Sequence, residues 1–229
     1  MKHHNSSEYL RMKRLDNIVL DIEFLLISVV QGVALASLAE SAAGPIGNFQ
    51  FEYWLYVVSA FLFILNFWSA AIIHTVSFID WPLDLTHNFL YFLVSLIEVM
   101  AFNQLTNPLK WFEFTTVFFI VAFILYAVDF SLIKRHQRKL TLSSAKKALY
   151  NHIVTREKKE LTQFLPLGFL FTLGSVIAIR LYPELFLVQH YHFLLILIQT
   201  LSGFLVLISS MHSFKKRSEL LTATILENT

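Results

Sequence analysis

Apolar residues in this chain come in long unbroken runs rather than in the alternation of strands or the spaced faces of soluble helices. A helix needs about 20 apolar residues to cross the hydrocarbon of a bilayer, and runs of roughly that length cover 18–39, 53–77, 84–102, 111–133, 162–181 and 187–212. The pattern predicts an all-α integral membrane protein with six transmembrane helices. Two of the runs carry acid: Asp21 and Glu23 lie in the opening turns of the first, and Glu98 lies inside the third.

The polar stretches between the runs divide the chain into a tail at 1–17, helices one to four over 18–133, a basic connector at 134–161, helices five and six over 162–213, and a second tail at 214–229. Lys and Arg set the orientation, since short cytoplasmic flanks collect them. With both termini cytoplasmic, every Lys and Arg except Lys110 and Arg180 falls on the inner side. The loops on the other side are too short to fold as domains, so recognition of a large external ligand is not expected. Within the connector, Ala145, Ala148, Leu149, His152 and Ile153 recur with helical spacing behind Ser144, a good N-cap. This segment reads as a solvated connector; the sharper alternative is a basic helix lying on the anionic inner leaflet.

Polar residues inside the runs are spaced, not scattered. In the third run Asp84, Asn88, Tyr91, Ser95 and Glu98 follow one another at steps of four, three, four and three, which puts them on one helical face. The fourth run carries Tyr126 and Asp129, and the sixth carries His192, Gln199, Gly203 and Ser210. On the first, Asp21, Ser28, Gly32 and Ala39 form a small or polar side, opposite Glu23, Leu26, Ile27, Val30 and Ala34. Such groups either hydrogen-bond between helices or line a path for an ion or proton. For the third run the two readings weigh evenly; for the sixth, helix-to-helix bonding is favoured.

Composition agrees with lipid as the main solvent: of 229 residues 56% are hydrophobic and only 15% charged, and the mean hydropathy is +0.60. Cysteine is absent, which excludes disulfides, thiol nucleophiles and cysteine-held metal clusters. Histidines at 74, 87, 190, 192 and 212 raise the question of haem, but no helix carries two of them on one face for stacked haems, and no cofactor or metal is expected. There is no phosphate loop, His-Glu-x-x-His or Gly-x-Ser-x-Gly. Neither an enzymatic activity nor a nucleic-acid partner is expected. Pro166 and Gly168 are where the fifth run would break if the chain were a transporter, yet no second interrupted run mirrors it.

Six spans with both ends inside, a basic connector after the fourth, and His74-Thr75-Val76-Ser77-Phe78 closing the second span form a familiar outline. The chain resembles the lysosomal-type potassium channel family of endosomes and bacteria. That family ends its second helix in Trp-x-x-His-x-x-x-Phe and has an Asn early in its third; His74, Phe78 and Asn88 match, and SAKKALYNHIV is similar to the family's short helix before the fifth span. Ala71 stands in place of the family's Trp, with Trp68 a turn earlier, and Arg14 and Asp21 stand one residue further apart than the family's Arg-x-x-x-Phe-Ser-Asp. The resemblance implies that Asp21, His74 and Asn88 form an inner hydrogen-bond network and that Leu26 sits near a hydrophobic constriction. The expected function is an oligomeric cation channel, for potassium or protons, in the plasma membrane of a prokaryote. Its pore would be lined by Glu23, Leu26, Ile27 and Val30 of a homo-oligomer, dimer or tetramer, with Tyr91, Ser95, Glu98 and Asp129 as an intramembrane polar stripe. The alternative is a non-conducting anchor or sensor subunit that binds a soluble partner through the connector.

Overall fold

The computed structural model describes the backbone of residues 2–77, 85–137 and 144–227, and the side chains of 18, 21–72, 75, 86–135 and 147–222. Among the described residues all regular structure is helical: α1 (Lys2–Gly47), α2 (Phe51–Ser77), α3 (Leu85–Phe102), α4 (Pro108–Gln137), α5 (Ser144–Lys159), α6 (Leu165–Leu181) and α7 (His192–Glu227). Five stretches are long and apolar enough to cross a membrane: Asp21–Gly47, Phe51–Ile72, Pro108–Arg135, Lys147–Leu181 and His192–Thr222. The chain is an all-helical membrane protein. The third apolar run gives the shorter Thr86–Phe102, because α3 with its 18 residues reaches about 27 Å, just under the ~30 Å of a typical hydrocarbon core.

Local chemistry explains where the helices turn. Asn107 caps α4, its side-chain oxygen accepting from the backbone N–H of Lys110 at 3.2 Å, and Pro108 follows at the position where a missing N–H costs nothing. Between α1 and α2 the turn is made by Phe49 at a positive φ of 54°. Pro166 does not break the fifth run. A π-helical turn over Glu160–Phe164 joins α5 to α6, with the N–H of Leu165 bonded back to the carbonyl of Glu160. The wider turn takes in the ring of Pro166 and keeps the rod continuous.

Helix α1 packs on α2 and α3, α2 on α7, α3 on α4, α4 on α6, and α5 on α7. Tyr56, Phe102, Trp111 and Ile196 anchor the core nearest the short turns, which we call the loop end. Phe67, Tyr91, Val94 and Phe118 anchor the middle. Towards the opposite, basic end, Ile133, Leu149, Tyr150 and Ile153 pack with Leu220 and Leu221. The helical periodicity read in the connector is therefore real, and its apolar side is covered by α7 and by the end of α4. Outside, Leu25, Phe89, Leu96, Leu167 and Leu205 stand exposed as an apolar surface suited to lipid.

Candidate functional site: a polar line along α3

The face of α3 that carries Tyr91, Ser95 and Glu98 is buried. Tyr91 stacks on Phe67 with ring centroids 4.9 Å apart and accepts a hydrogen bond from Gln31 Nε2 of α1 at 3.2 Å. Through Gln31 the polar line continues to Glu98. Glu98 is only 1% exposed, and among the described residues neither carboxyl oxygen has a hydrogen-bond partner; Ser95 Oγ and Gln31 Oε1 share that condition. Polar groups so buried ordinarily find partners, so this cluster carries a stability cost.

Further along α3 the line enters a crevice of about 20 Å³ walled by Glu23, Leu26, Ile27, Thr75, His87, Asn88 and Tyr91. A volume of this order holds about one water molecule. The expected pore residues of α1 thus point partly into their own chain: Ile27 is buried in the central cluster, and Val30 packs against the same cluster. Asp21 is exposed and is not part of the crevice wall; Glu23, half a turn on, stands there with Asn88. The side chain of His74 lies outside the described residues, as do Phe78 and Asp84, while Thr75 beside His74 is buried in the crevice wall.

From the crevice, His87 leads to the basic end. Its Nδ1 lies 2.6 Å from Oδ1 of Asp129 on α4. Both line a cavity of about 60 Å³ together with Tyr126, Arg156, Glu157, Glu160 and Arg217. Arg156 donates to Ser209 Oγ at 2.6 Å and Ser210 Oγ at 3.3 Å and pairs with Glu160 one turn along its own helix; Arg217 faces Glu157 at 3.9 Å. Charges of both signs buried together are tolerated because each offsets the desolvation of the other. Of this half the sequence marks Tyr126, Asp129 and Ser210 as polar positions within apolar runs, but not Arg156, Glu157, Glu160 and Arg217. The one signal there was the Arg156/Glu160 spacing inside a basic run.

The loop end is polar too, but differently built. Tyr56 Oη and His192 Nδ1 are 3.1 Å apart, Trp111 Nε1 donates to Gln199 Oε1 at 3.0 Å, and nearer the middle of the bundle Asn66 Nδ2 donates to the carbonyl of Gly203 at 3.1 Å. The polar positions of the last run therefore bind helix to helix. Between Glu98 and the exposed Ser41–Asn103 pair the chain is closed by Leu38, Phe102 and Leu105. The two cavities along the line lie between Tyr91 and the basic end, while Leu38, Phe102 and Leu105 belong to the apolar cluster of the loop end. No known family's model, no curated protein and no solved structure matches this chain.

Proposed function

We propose that this protein conducts a cation across the membrane, that the cation is the proton, and that it moves along α3 inside each chain. Both termini face the cytoplasm, α3 is the sixth span despite its length, and the cavity around Arg156 and Glu160 is the cytoplasmic mouth. Glu98 is the observation that carries this reading. An acid that binds and releases a proton, placed without a partner inside the membrane, is costly as structure and useful as a relay. The line of Glu98, Tyr91, Glu23, His87 and Asp129, with the Gln31 amide beside Tyr91, then provides titratable or hydroxyl-bearing groups from the interior to the mouth. A crevice that holds one water is too small for potassium with the several oxygen ligands a metal cation requires, so protons are favoured over metal cations. Closure by Leu38, Phe102 and Leu105 makes this the state that loads from the cytoplasmic side.

The chains associate through the outer face of α1, where Ser28, Gly32 and Ala36 are exposed at four-residue spacing and allow close helix approach. A Cβ at Gly32 meets nothing within 4 Å. Because the chain lacks cysteine, Gly32→Cys is expected to give a single, clean disulfide-linked dimer in membranes; failure to cross-link there removes this interface.

The test of conduction is pH-gradient-driven dye quenching in proteoliposomes. Parent protein is expected to carry protons in preference to potassium, and Glu98→Gln to reduce the flux at least tenfold. Equal potassium flux, or an unaltered rate in Glu98→Gln, would refute the proton path. A second reading, a sensor or anchor for a soluble partner, is favoured by the packed α5–α7 projection, whose Lys147, Lys158, Lys215 and Lys216 are exposed. No flux from correctly assembled parent would select it.

A further inference from the structure

Helix α6 is held by α4 and α7 by α2, and between them lies a cleft of about 500 Å³, within the ~300–1,000 Å³ of small-molecule sites. Leu167 and Leu205 line it and are 65% and 69% exposed, so its side opens to lipid. Tyr126, Glu160 and Ser210 line both this cleft and the basic-end cavity, so the two spaces adjoin. The cleft is mainly apolar, walled by Phe63, Phe118, Phe119, Phe164 and Phe171. Several of its polar groups are spent within the chain: Thr172 donates to the carbonyl of Phe169 at 3.1 Å, Asn66 donates to those of Leu62 and Gly203, and Gln199 accepts from Trp111.

The sign of charge at the mouth of the cleft is set by the basic end. Two cations stand over the Phe164 ring: Lys159 Nζ lies 5.2 Å and Arg156 Cζ 5.7 Å from its centroid. Glu160, the one charged residue of the cleft wall among the described residues, is paired with Arg156, and the two offset each other. Lys159 is exposed and, among the described residues, forms no ion pair. Lys134, Lys158, Lys215 and Lys216 are exposed as well, and Glu219 is the one exposed acid among the described residues on this end of α4, α5 and α7. Such a mouth attracts an anionic head and repels a cationic one.

Depth selects a phospholipid. Along the α5–α6 rod Lys159 stands about 33 Å from Leu181, slightly more than the ~30 Å of hydrocarbon, which puts its ammonium among the headgroups. Thr172, the far end of the cleft wall on α6, lies about 20 Å from Lys159, past the middle of that ~30 Å core. The cleft therefore begins under a cation at headgroup level and runs inward for the depth of one leaflet. A soluble anion would use the cation alone, and an uncharged lipid the groove alone. We propose that the α6–α7 cleft holds an anionic phospholipid of the leaflet at the basic end, its phosphate on Lys159 and one acyl chain along the phenylalanine wall. Its headgroup then stands beside Arg156 and Glu160 at the basic-end cavity. Binding does not depend on whether the chain conducts.

Photolabelling tests it, with the full chain in phosphatidylcholine nanodiscs. The probe is phosphatidylglycerol with a diazirine on one acyl chain; the comparator carries the same chain under a phosphatidylcholine head. The phosphatidylglycerol probe is expected to label residues 164–172 and 203–210 saturably, and the comparator to label them without saturation. Unlabelled phosphatidylglycerol is expected to compete, whereas diacylglycerol, which has the chains without the phosphate, and inorganic phosphate, which has no chains, are expected to fail. Lys159→Gln, a surface change that keeps the fold, is expected to raise the half-saturating concentration about fivefold, the effect of one lysine at an anionic headgroup. Lys147→Gln, about 18 Å further out along α5 and so beyond the ~8–10 Å reach of a screened charge, is expected to leave it unchanged. For the chain, Gly168→Ala serves: a Cβ there would meet the Phe119 ring at 2.4 Å, both residues line the cleft, and labelling of the wall is expected to fall. Equal labelling by the two probes, competition by diacylglycerol or inorganic phosphate as strong as by phosphatidylglycerol, cross-linking of the cleft to a second copy of the chain, equal weakening by Lys147→Gln and Lys159→Gln, or unchanged labelling in Gly168→Ala would overturn the site.

Discussion

Replacing Glu98 by leucine is expected to make the protein more stable and to stop it conducting. The side chain is 1% exposed and both of its carboxyl oxygens are unpartnered. Leaving a buried polar group unsatisfied costs about 1–3 kcal/mol. Leucine, of similar volume, removes that cost and adds apolar contact with the core around Ala101 and Val94. The expectation is a gain of about 1–2 kcal/mol, read as a higher midpoint for thermal unfolding in mild detergent, with proton flux in proteoliposomes reduced to background. Glu98→Gln separates the two effects: it keeps the shape and a hydrogen-bonding head, so stability is expected to move little while flux is lost. If Glu98→Leu were less stable and still conducted, Glu98 would be a structural residue with partners in the bilayer-embedded protein, and the proton path would have no relay at its centre.

Arg156 tests whether the basic-end cavity acts as a unit. Arg156→Ala leaves the 12%-exposed Glu160 side chain without its partner and is expected to cost about 3–5 kcal/mol; the double variant Arg156→Ala/Glu160→Ala is expected to cost less than Arg156→Ala alone, as measured by unfolding in a double-variant cycle, and simple additivity would show that the pair is not coupled. At the loop end, Tyr56→Phe removes the 3.1 Å contact with His192, with an expected loss of about 1–2 kcal/mol in stability and no change in proton flux. A flux defect in Tyr56→Phe would extend the path to a region where we find only helix-to-helix bonding.

The α3 stripe is legible in the sequence because spacing and chemistry coincide there: acids and amides at steps of three and four in an apolar run have one face to share, and such a face is sheltered from lipid. Tyr91, Ser95 and Glu98 are buried together. The role of α1 is not legible in the same way. An α1 that is apolar on most sides gives no periodicity from which to choose its inner face, and only packing against α2 and α3 shows that Ile27 turns inward while Ser28, Gly32 and Ala36 turn out. The connector misleads for another reason. Its composition is that of a solvated segment, but its few apolar residues meet Leu220 and Leu221 from the end of α7, and no local pattern announces a contact between segments some 70 residues apart.

By itself, then, the sequence determined the solvent and the secondary structure: long apolar runs can lie only in lipid, where the backbone must satisfy its own hydrogen bonds and helix is the one choice for a single run. It also determined which residues are able to carry a proton. Tertiary structure alone decided which of them meet. Gln31 beside Tyr91, His87 on Asp129 and Arg156 among the serines of α7 are pairings across helices, set by how the helices cross and at what depth. The same packing left α6 and α7 apart, with a cavity of about 500 Å³ between them, α2 and α4.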